Sequence, residues 1–164
     1  MKIFNPFALA MLLFFASCST TTTIYIVRHA ERPVGQPNPH LSEPAGNERA
    51  RTLADTLSNK SINSVMTTDS NRTRETAQPT ATRFNIPLTF YGKDTIPGLV
   101  AQLKNTWGRN ILIVSHSETI PLIVQQFGYA LQSDINSFNR FIIIKREKGK
   151  PELNTYRETT YGNP

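Results

Sequence analysis

The sequence predicts a single α/β domain in which helices cover both faces of a mostly parallel β-sheet. Two apolar, β-branched runs, residues 24–27 and 111–114, stop abruptly at polar residues. Continuous apolar runs of this length are typical of strands buried on both faces of a parallel sheet. A third strand ends at Thr68, and a helical pattern follows each of the three. Because right-handed crossovers place such helices on both faces of the sheet, the predicted architecture is a three-layer α/β/α sandwich.

The other elements follow from hydrophobic spacing and turn residues. Four prolines within residues 33–44 predict a loop. A helix is predicted from about residues 43–47 to Ser58, because apolar residues recur there at helical spacing. Residues 69–71 supply a turn before a helix that opens at Arg72. The remaining predicted elements are strands at residues 62–68 and 88–91, helical stripes over residues 99–103 and 121–127, and a closing hairpin of residues 141–144 and 153–156.

The N-terminus carries an export signal. Residues 1–17 combine a basic residue, an apolar run and two small residues, which predicts a secretory signal peptide too short to span a bilayer. Cys18 stands where a bacterial lipoprotein signal places its lipidated residue, which predicts a lipid anchor and a periplasmic location. Alternatively, Cys18 is incidental and an ordinary signal peptidase cuts nearby. We expect a signal peptide at residues 1–17, a tether at 18–23 and one folded domain at 24–160.

Length and charge exclude several classes of protein. The chain has 164 residues, enough for one domain with a sizeable core. Its 18 basic and 12 acidic side chains give a net charge of +6, but the sequence has no basic run of the kind found in nucleic-acid-binding tails. It also contains no spaced metal-ligand cluster and no glycine-rich phosphate loop. We therefore expect a small anionic partner, no nucleic acid and no cofactor.

Four residues that suit phosphate chemistry are predicted to meet at one edge of the sheet. Arg28 and His29 end the first apolar run, His116 follows the second, and Arg72 opens the helix after the strand ending at Thr68. Ligands of open α/β sheets bind beyond the carboxyl ends of the strands. A helix N-terminus next to Arg72 also favours anions.

These motifs resemble the histidine phosphatase (phosphoglycerate mutase-like) superfamily. Residues 28–30, Arg-His-Ala, resemble its Arg-His-Gly/Ala signature, and residues 72–77 resemble its Arg-x-x-x-Thr-Ala segment. Residues 41–50, Leu-Ser with a later Gly and Arg-Ala, match a third family segment. Residues 115–121 resemble Gly-His-Ser-Asn-Thr-x-Pro, with serine replacing glycine and Glu118 replacing asparagine. The resemblance implies a phosphoglycerate mutase-like fold and a phosphatase that works through a phosphohistidine.

The resemblance also assigns roles. His29 is the nucleophile, Arg28 and Arg72 bind the phosphoryl oxygens as planar donors, and His116 is a charged donor to the same oxygens. Phosphorylation of His29 and the later hydrolysis of the phosphohistidine need no metal, because guanidinium and imidazolium groups supply the positive charge.

Two carboxylates compete for the role of the acid that protonates the leaving oxygen. Glu118 follows His116 by two residues, which resembles the His-Ala-Glu triplet of a phytase-like branch. Asp94 lies in the loop after a strand, in the part of the chain from which the mutase-like branch supplies its acid. The short fixed spacing from His116 favours Glu118. The alternative for each is a helix-start carboxylate stabilised by the helix dipole.

The predicted function is therefore an exported, metal-independent phosphatase that hydrolyses phosphomonoesters or phosphoanhydrides. A binding lipoprotein that holds phosphate or a phosphorylated ligand without turnover is the alternative, although binding alone does not need a nucleophilic His29. Phosphoglycerate mutase activity is disfavoured by export and by the short chain.

Overall fold

The computed structural model describes residues 20–163, so the predictions for the signal peptide and Cys18 lie outside the described residues. Six strands and four α-helices follow one another in this part of the chain. The strands are β1 (Thr21–Arg28), β2 (Ser64–Thr68), β3 (Leu88–Tyr91), β4 (Asn110–Ser115), β5 (Arg140–Glu147) and β6 (Thr155–Thr160). The helices are α1 (Ala45–Thr56), α2 (Asn71–Phe84), α3 (Ile96–Lys104) and α4 (Ile120–Gln126).

All six strands form one sheet in the order β3-β2-β4-β1-β5-β6. Strands β1 to β4 are parallel, whereas β5 is antiparallel to β1 and β6 is antiparallel to β5. The predicted mostly parallel sheet and closing hairpin are confirmed. Because β1, β4 and β2 are parallel neighbours, the residues that follow these three strands meet at one edge.

Helices cover both faces of the sheet, which confirms the predicted three-layer sandwich. Alternate residues of β1 enter two different cores: Ile24 and Ile26 pack with α3 and α4, whereas Tyr25 and Val27 pack with α1 and α2. Full burial of one such side chain contributes roughly 1.5–3 kcal/mol. A strand buried on both faces needs apolar residues at every position, which explains the uninterrupted run in the sequence.

Both predicted boundaries of the folded domain were wrong. The predicted tether at residues 18–23 overlaps β1, since residues 21–23 pair with residues 145–147 of β5. The predicted end at residue 160 is followed by Tyr161, which is buried against the α1 and α2 core. The N-terminal error arose because a run of threonines has no hydrophobic periodicity, although strand pairing needs only its backbone.

The first turn of α1 fixes the chain that follows β1. The backbone N–H of Ser42 donates to the Glu31 carbonyl at 2.9 Å, and a Cβ at Gly46 would lie 2.4 Å from the same oxygen. Only glycine permits this approach. The Glu31 carboxylate accepts hydrogen bonds from Arg49 Nη2 at 2.6 Å and Nε at 2.9 Å. Together these contacts anchor the backbone two residues after His29.

Gly46→Ala is expected to destabilise the protein by about 1–3 kcal/mol, since the new methyl group must displace α1 or Glu31. Each kcal/mol corresponds to a fall in Tm of roughly 2–4 °C for a chain of this size, measurable by calorimetry. The matched control is Gly98→Ala in α3, where a Cβ would meet nothing within 4 Å. This control should keep or raise the Tm, because alanine is the better helix former. An equal fall in Tm in the Gly46→Ala and Gly98→Ala variants would contradict the close approach at Gly46.

Candidate active site

The pairing of β1 with β4 places two histidines side by side at the carboxyl edge of the sheet. Arg28 and Ser115 are register partners at the ends of these strands, so His29 and His116 follow at the same level. The backbone N–H of His29 donates to the Ser115 carbonyl at 3.0 Å and extends the ladder by one residue. The centroids of the two imidazole rings lie 5.6 Å apart, with an angle of 64° between the ring planes. The structure thus brings the two predicted histidines together.

His29 is 3% exposed, and one hydrogen bond fixes its tautomer. Its Nδ1 lies 2.8 Å from the carbonyl oxygen of Ala30, and because that oxygen can only accept, Nδ1 carries the proton. Burial lowers the pKa of His29 to about 4, and the charges of Arg28 and Arg72 add to this effect against the opposing bond to Ala30. The ring is therefore neutral near pH 7, and Nε2 keeps its lone pair. This is the state that a nucleophilic histidine requires.

His116 is also neutral in the ligand-free protein, so the predicted charged donor to phosphoryl oxygens stays a prediction for the substrate complex. Arg72 Nη2 donates to Nδ1 of His116 at 3.3 Å, so this nitrogen is an acceptor. The other nitrogen, Nε2, donates to the Thr68 hydroxyl at 2.7 Å. Burial, with the charges of Lys93 and Arg72 as smaller causes, lowers the pKa of His116 to about 3 against the opposing charge of the Glu118 carboxylate. A proton on this ring would face two cations, so the ligand-free protein holds it uncharged.

Three arginines lie next to the histidine pair. Arg28 ends β1, Arg32 lies four residues later, and Arg72 belongs to the first turn of α2. Burial lowers the pKa of Arg28 and of Arg72, and the charge of Arg32 lowers both further, so Arg32 lies close to both. Within residues 20–163, the Nε–H groups of all three arginines are buried without a hydrogen-bond partner. A buried donor without a partner costs about 1–3 kcal/mol, and three of them beside one histidine indicate an anion site.

The loop before β5 holds Arg28 in place. Arg28 Nη1 donates to the carbonyl of Asn136, and the guanidinium carbon lies 4.3 Å from the centroid of the Phe138 ring. The same ring lies 5.9 Å from the ring of His29. These contacts engage one end and one face of the guanidinium and leave Nε free. The sequence analysis missed Phe138, since its loop has no motif or periodicity that would mark it.

Glu118 lies near the same arginines in its ionised form. Its Oε1 accepts a hydrogen bond from Lys93 Nζ at 2.9 Å. Burial alone would raise the pKa of Glu118, but the hydrogen bond from Lys93, a backbone hydrogen bond and the charge of Lys93 lower it to about 2. The negative charge of Glu118 in turn opposes the lowered pKa values of Arg28, Arg72 and His116. Lys93 was not predicted as a site residue, because it stands in a loop after a strand and belongs to no recognisable motif.

Asp94, the other predicted acid, lies in a 3₁₀ turn, Lys93–Thr95, that follows β3. It lines a cavity of about 360 Å³ formed by residues 68–70 and 91–94. Of the two predicted acids, Glu118 is therefore the one whose charge acts on His116 and on the arginines.

The structure brings together Arg28, His29, Arg72, His116 and Glu118, all of which the sequence predicted for the site. Arg32 was missed as a site residue, although it lies three residues after His29 and carries the right chemistry. Its place depends on the path of the proline-rich loop, which sequence spacing does not define. Within residues 20–163, no group of three or more His, Cys, Asp or Glu side chains is arranged to hold a metal ion.

Comparison with known proteins first identifies a family segment. Residues 24–92 match the model of the family described as "Histidine phosphatase superfamily (branch 1)". This segment contains Arg28, His29, Arg32 and Arg72 of the site. A search of curated proteins found no match to the chain.

Solved structures share the fold at low sequence identity. The protein histidine phosphatase SixA, complexed with tungstate, is 14% identical with a TM-score of 0.66, covering 84% of this chain and 96% of its own. Mycobacterial glucosyl-3-phosphoglycerate phosphatase is 13% identical with a TM-score of 0.63, and the match covers 88% of this chain and 100% of that protein's chain. Phosphoserine phosphatase from Entamoeba histolytica is 13% identical with a TM-score of 0.58, and the match covers 87% of this chain and 98% of that protein's chain. Residues 24–92 thus match the histidine phosphatase family model, and the whole described domain shares the phosphoglycerate mutase-like fold of these structures.

Proposed function

We propose that the chain is a phosphatase that hydrolyses phosphomonoesters, or phosphoanhydrides, through a phosphohistidine at His29. The observation that carries this proposal is the neutral His29 ring, whose Nε2 is left free beside three unpartnered arginine Nε–H groups. A protein that only binds phosphate needs the arginines but has no use for a nucleophilic nitrogen held in one tautomer. The phosphatase names of the solved relatives, one of them bound to the oxyanion tungstate, support the same reading.

The first step transfers the phosphoryl group to the enzyme. The lone pair of His29 Nε2 forms a bond to phosphorus while the bond from phosphorus to the leaving oxygen breaks. Arg28, Arg32 and Arg72 donate to the equatorial oxygens, over which the transition-state charge is spread. Since guanidinium groups keep their charge at any working pH, we propose that this step needs no metal.

The second step releases phosphate. Glu118, having given its proton to the leaving oxygen, accepts one from water as the water oxygen attacks phosphorus. The bond between phosphorus and His29 breaks, and its electron pair returns to Nε2. This assignment of Glu118 is supported by the charge that it exerts on His116 and on two of the arginines, whereas Asp94 lines the neighbouring cavity.

Substrate binding must change the protonation of two groups for this cycle to run. Glu118 is ionised in the free protein, and a phosphate dianion beside it raises its pKa because like charges disfavour the ionised form. The same dianion raises the pKa of His116 by offsetting the nearby cations. We propose that both groups take up protons as substrate binds, so that His116 becomes the charged donor in the complex.

We further propose that the protein is exported and tethered to a bacterial membrane through a lipid on Cys18. The proposal rests on the signal-like residues 1–17 and on the position of the cysteine directly after them. No helix among residues 20–163 is long and apolar enough to cross a membrane. β1 begins at Thr21, three residues after Cys18 in the sequence, so the proposed anchor precedes the first strand by a short segment.

His29→Ala should abolish turnover of p-nitrophenyl phosphate by the full chain, because the reaction path through the phosphoenzyme is lost. In the wild-type protein, rapid acid-free quenching during turnover should trap an acid-labile phosphate on His29, detectable by mass spectrometry. Both measurements are made with a chelator present, which also tests metal independence.

The control for this variant is His40→Ala. His40 is an exposed histidine whose ring contacts Glu75 outside the site, so its removal should leave turnover within about twofold of wild type, as for an ordinary surface substitution. Full activity in the His29→Ala protein would rule out the nucleophile assignment.

Glu118→Gln should slow the hydrolysis of alkyl phosphates far more than that of activated aryl phosphates, which depart without a proton. Removal of a general acid typically lowers the rate about 10²–10⁴-fold, and we expect a fall of this size in kcat/KM for the alkyl esters alone. Steady-state kcat/KM for both substrate classes checks this. Asp94→Asn is the matched comparison and should not discriminate between aryl esters and simple alkyl esters that carry no hydroxyl group. The reverse pattern, with Asp94→Asn selective against alkyl phosphates, would move the acid to the loop after β3.

Cys18→Ser should release the mature protein from the membrane, since a lipid on Cys18 is the proposed anchor. Fractionation of cells that express wild type and variant, with removal of the signal confirmed by intact mass, checks this outcome. A wild-type protein already soluble in the periplasm would show that Cys18 is incidental.

A further inference from the structure

A cavity of about 360 Å³ adjoins the proposed phosphate site and is not used by the reaction steps described above. Residues 68–70 after β2 and residues 91–94 after β3 form its walls. This volume is at the small end of ligand pockets, which span about 300–1,000 Å³. It therefore suits a small organic group rather than a macromolecule.

Two contacts connect this cavity to the site. Thr68 lines the cavity, and its hydroxyl accepts the hydrogen bond from His116 Nε2 at 2.7 Å. Lys93 also lines it and donates to Glu118, the proposed acid, at 2.9 Å. The acid marks the side on which the leaving oxygen sits, because it must reach that oxygen with its proton. The leaving group therefore extends from the acid toward this cavity.

The charges around the cavity differ from those of the phosphate site. Three arginines surround the proposed phosphoryl position, whereas the cavity is lined by two carboxylates, Asp69 and Asp94, and by one ammonium, Lys93. Asp69 is held by Arg74 Nε at 2.6 Å, and Asp94 has no hydrogen-bond or ion-pair partner among the described residues. The unpaired carboxylate of Asp94 repels a second anionic group on the substrate, and Lys93 repels a cationic one.

Hydroxyl groups fit this mixture of donors and acceptors. A hydroxyl can donate to the free carboxylate of Asp94 and accept from Lys93 Nζ or from the Ser70 hydroxyl. A leaving group with several hydroxyls satisfies both kinds of partner at once. We propose that this cavity is the leaving-group subsite and that it takes a neutral, hydroxyl-rich alcohol, so that the substrates are phosphate esters of polyols or small sugars. The inference rests on the proposed phosphatase function.

The test compares three small alkyl phosphates that differ in the charge of the leaving alcohol. These are glycerol 3-phosphate with a neutral alcohol, 3-phosphoglycerate with an anionic one and phosphoethanolamine with a cationic one, and p-nitrophenyl phosphate measures basal activity. With the full chain, kcat/KM for glycerol 3-phosphate should exceed the other two by about tenfold, the scale of one like-charge contact near a protein surface.

Asp94→Asn gives the residue-level test through a ratio of rates. Removing this negative charge should raise kcat/KM for 3-phosphoglycerate relative to glycerol 3-phosphate by about three- to tenfold. The matched control is Asp55→Asn on α1, whose carboxylate pairs with Arg83 away from the cavity. This control should leave the ratio at its wild-type value.

The outcomes separate this inference from the function on which it rests. Failure to hydrolyse p-nitrophenyl phosphate and the three esters would overturn the phosphatase proposal itself. Hydrolysis with an equal or greater preference for 3-phosphoglycerate or phosphoethanolamine would overturn the polyol inference alone. An unchanged ratio in Asp94→Asn, with normal p-nitrophenyl phosphate turnover in wild type, would overturn the assignment of the cavity as the leaving-group subsite.

Discussion

The parallel register between β1 and β4 is the constraint on which the site depends. It pairs Arg28 with Ser115, so the next residue of each strand is a histidine at the same edge. A shift of one residue would move every side chain of β1 to the opposite face and bury Tyr25 and Val27 in the wrong core. The two hydrophobic cores therefore fix the register, and the register fixes the 5.6 Å between the imidazole centroids. In this way packing energy on both sides of the sheet positions the proposed nucleophile.

Placing three arginines around buried histidines carries an electrostatic cost that the fold offsets only in part. Burial lowers the pKa of Arg28, the charges of Arg32 and Arg72 lower it further, and the carboxylates of Glu118 and Asp134 oppose this effect. The buried Nε–H groups of the arginines remain without partners in the described residues. Such unsatisfied, mutually repelling donors destabilise the free protein, and a bound anion would satisfy them. Burial, with the nearby positive charges as a smaller cause, keeps both histidines neutral, which a nucleophilic His29 requires.

The sequence predicted those parts of the site that depend on local pattern. His29 and His116 follow apolar strands, and Arg72 opens a helix after a turn, so their convergence follows from the rule for parallel sheets. The position of Arg32 depends instead on the loop that Gly46 and the ion pair between Glu31 and Arg49 hold in place. Such long-range contacts have no signal in residue spacing.

The protonation states of the site residues could not be predicted from the sequence either. The neutral state of His116 in the ligand-free protein depends on Arg72 Nη2, which lies 3.3 Å from its Nδ1 in a contact between α2 and the residue after β4. The carboxylate of Glu118 is ionised because Lys93, 25 residues earlier in the chain, donates to it. Residue identity alone placed these groups in the site, whereas their charge depends on neighbours that only the fold supplies.

The proposed chemistry requires that His29 is held as a neutral ring with the proton on Nδ1 and a free Nε2. Nitrogen-15 NMR of the histidine side chains, with His29 assigned through the His29→Ala spectrum, measures this state directly. At pH 7 we expect a protonated Nδ1 and an unprotonated Nε2 on His29, with ring protonation only near pH 4. A proton on Nε2, or a charged imidazolium at pH 7, would contradict it.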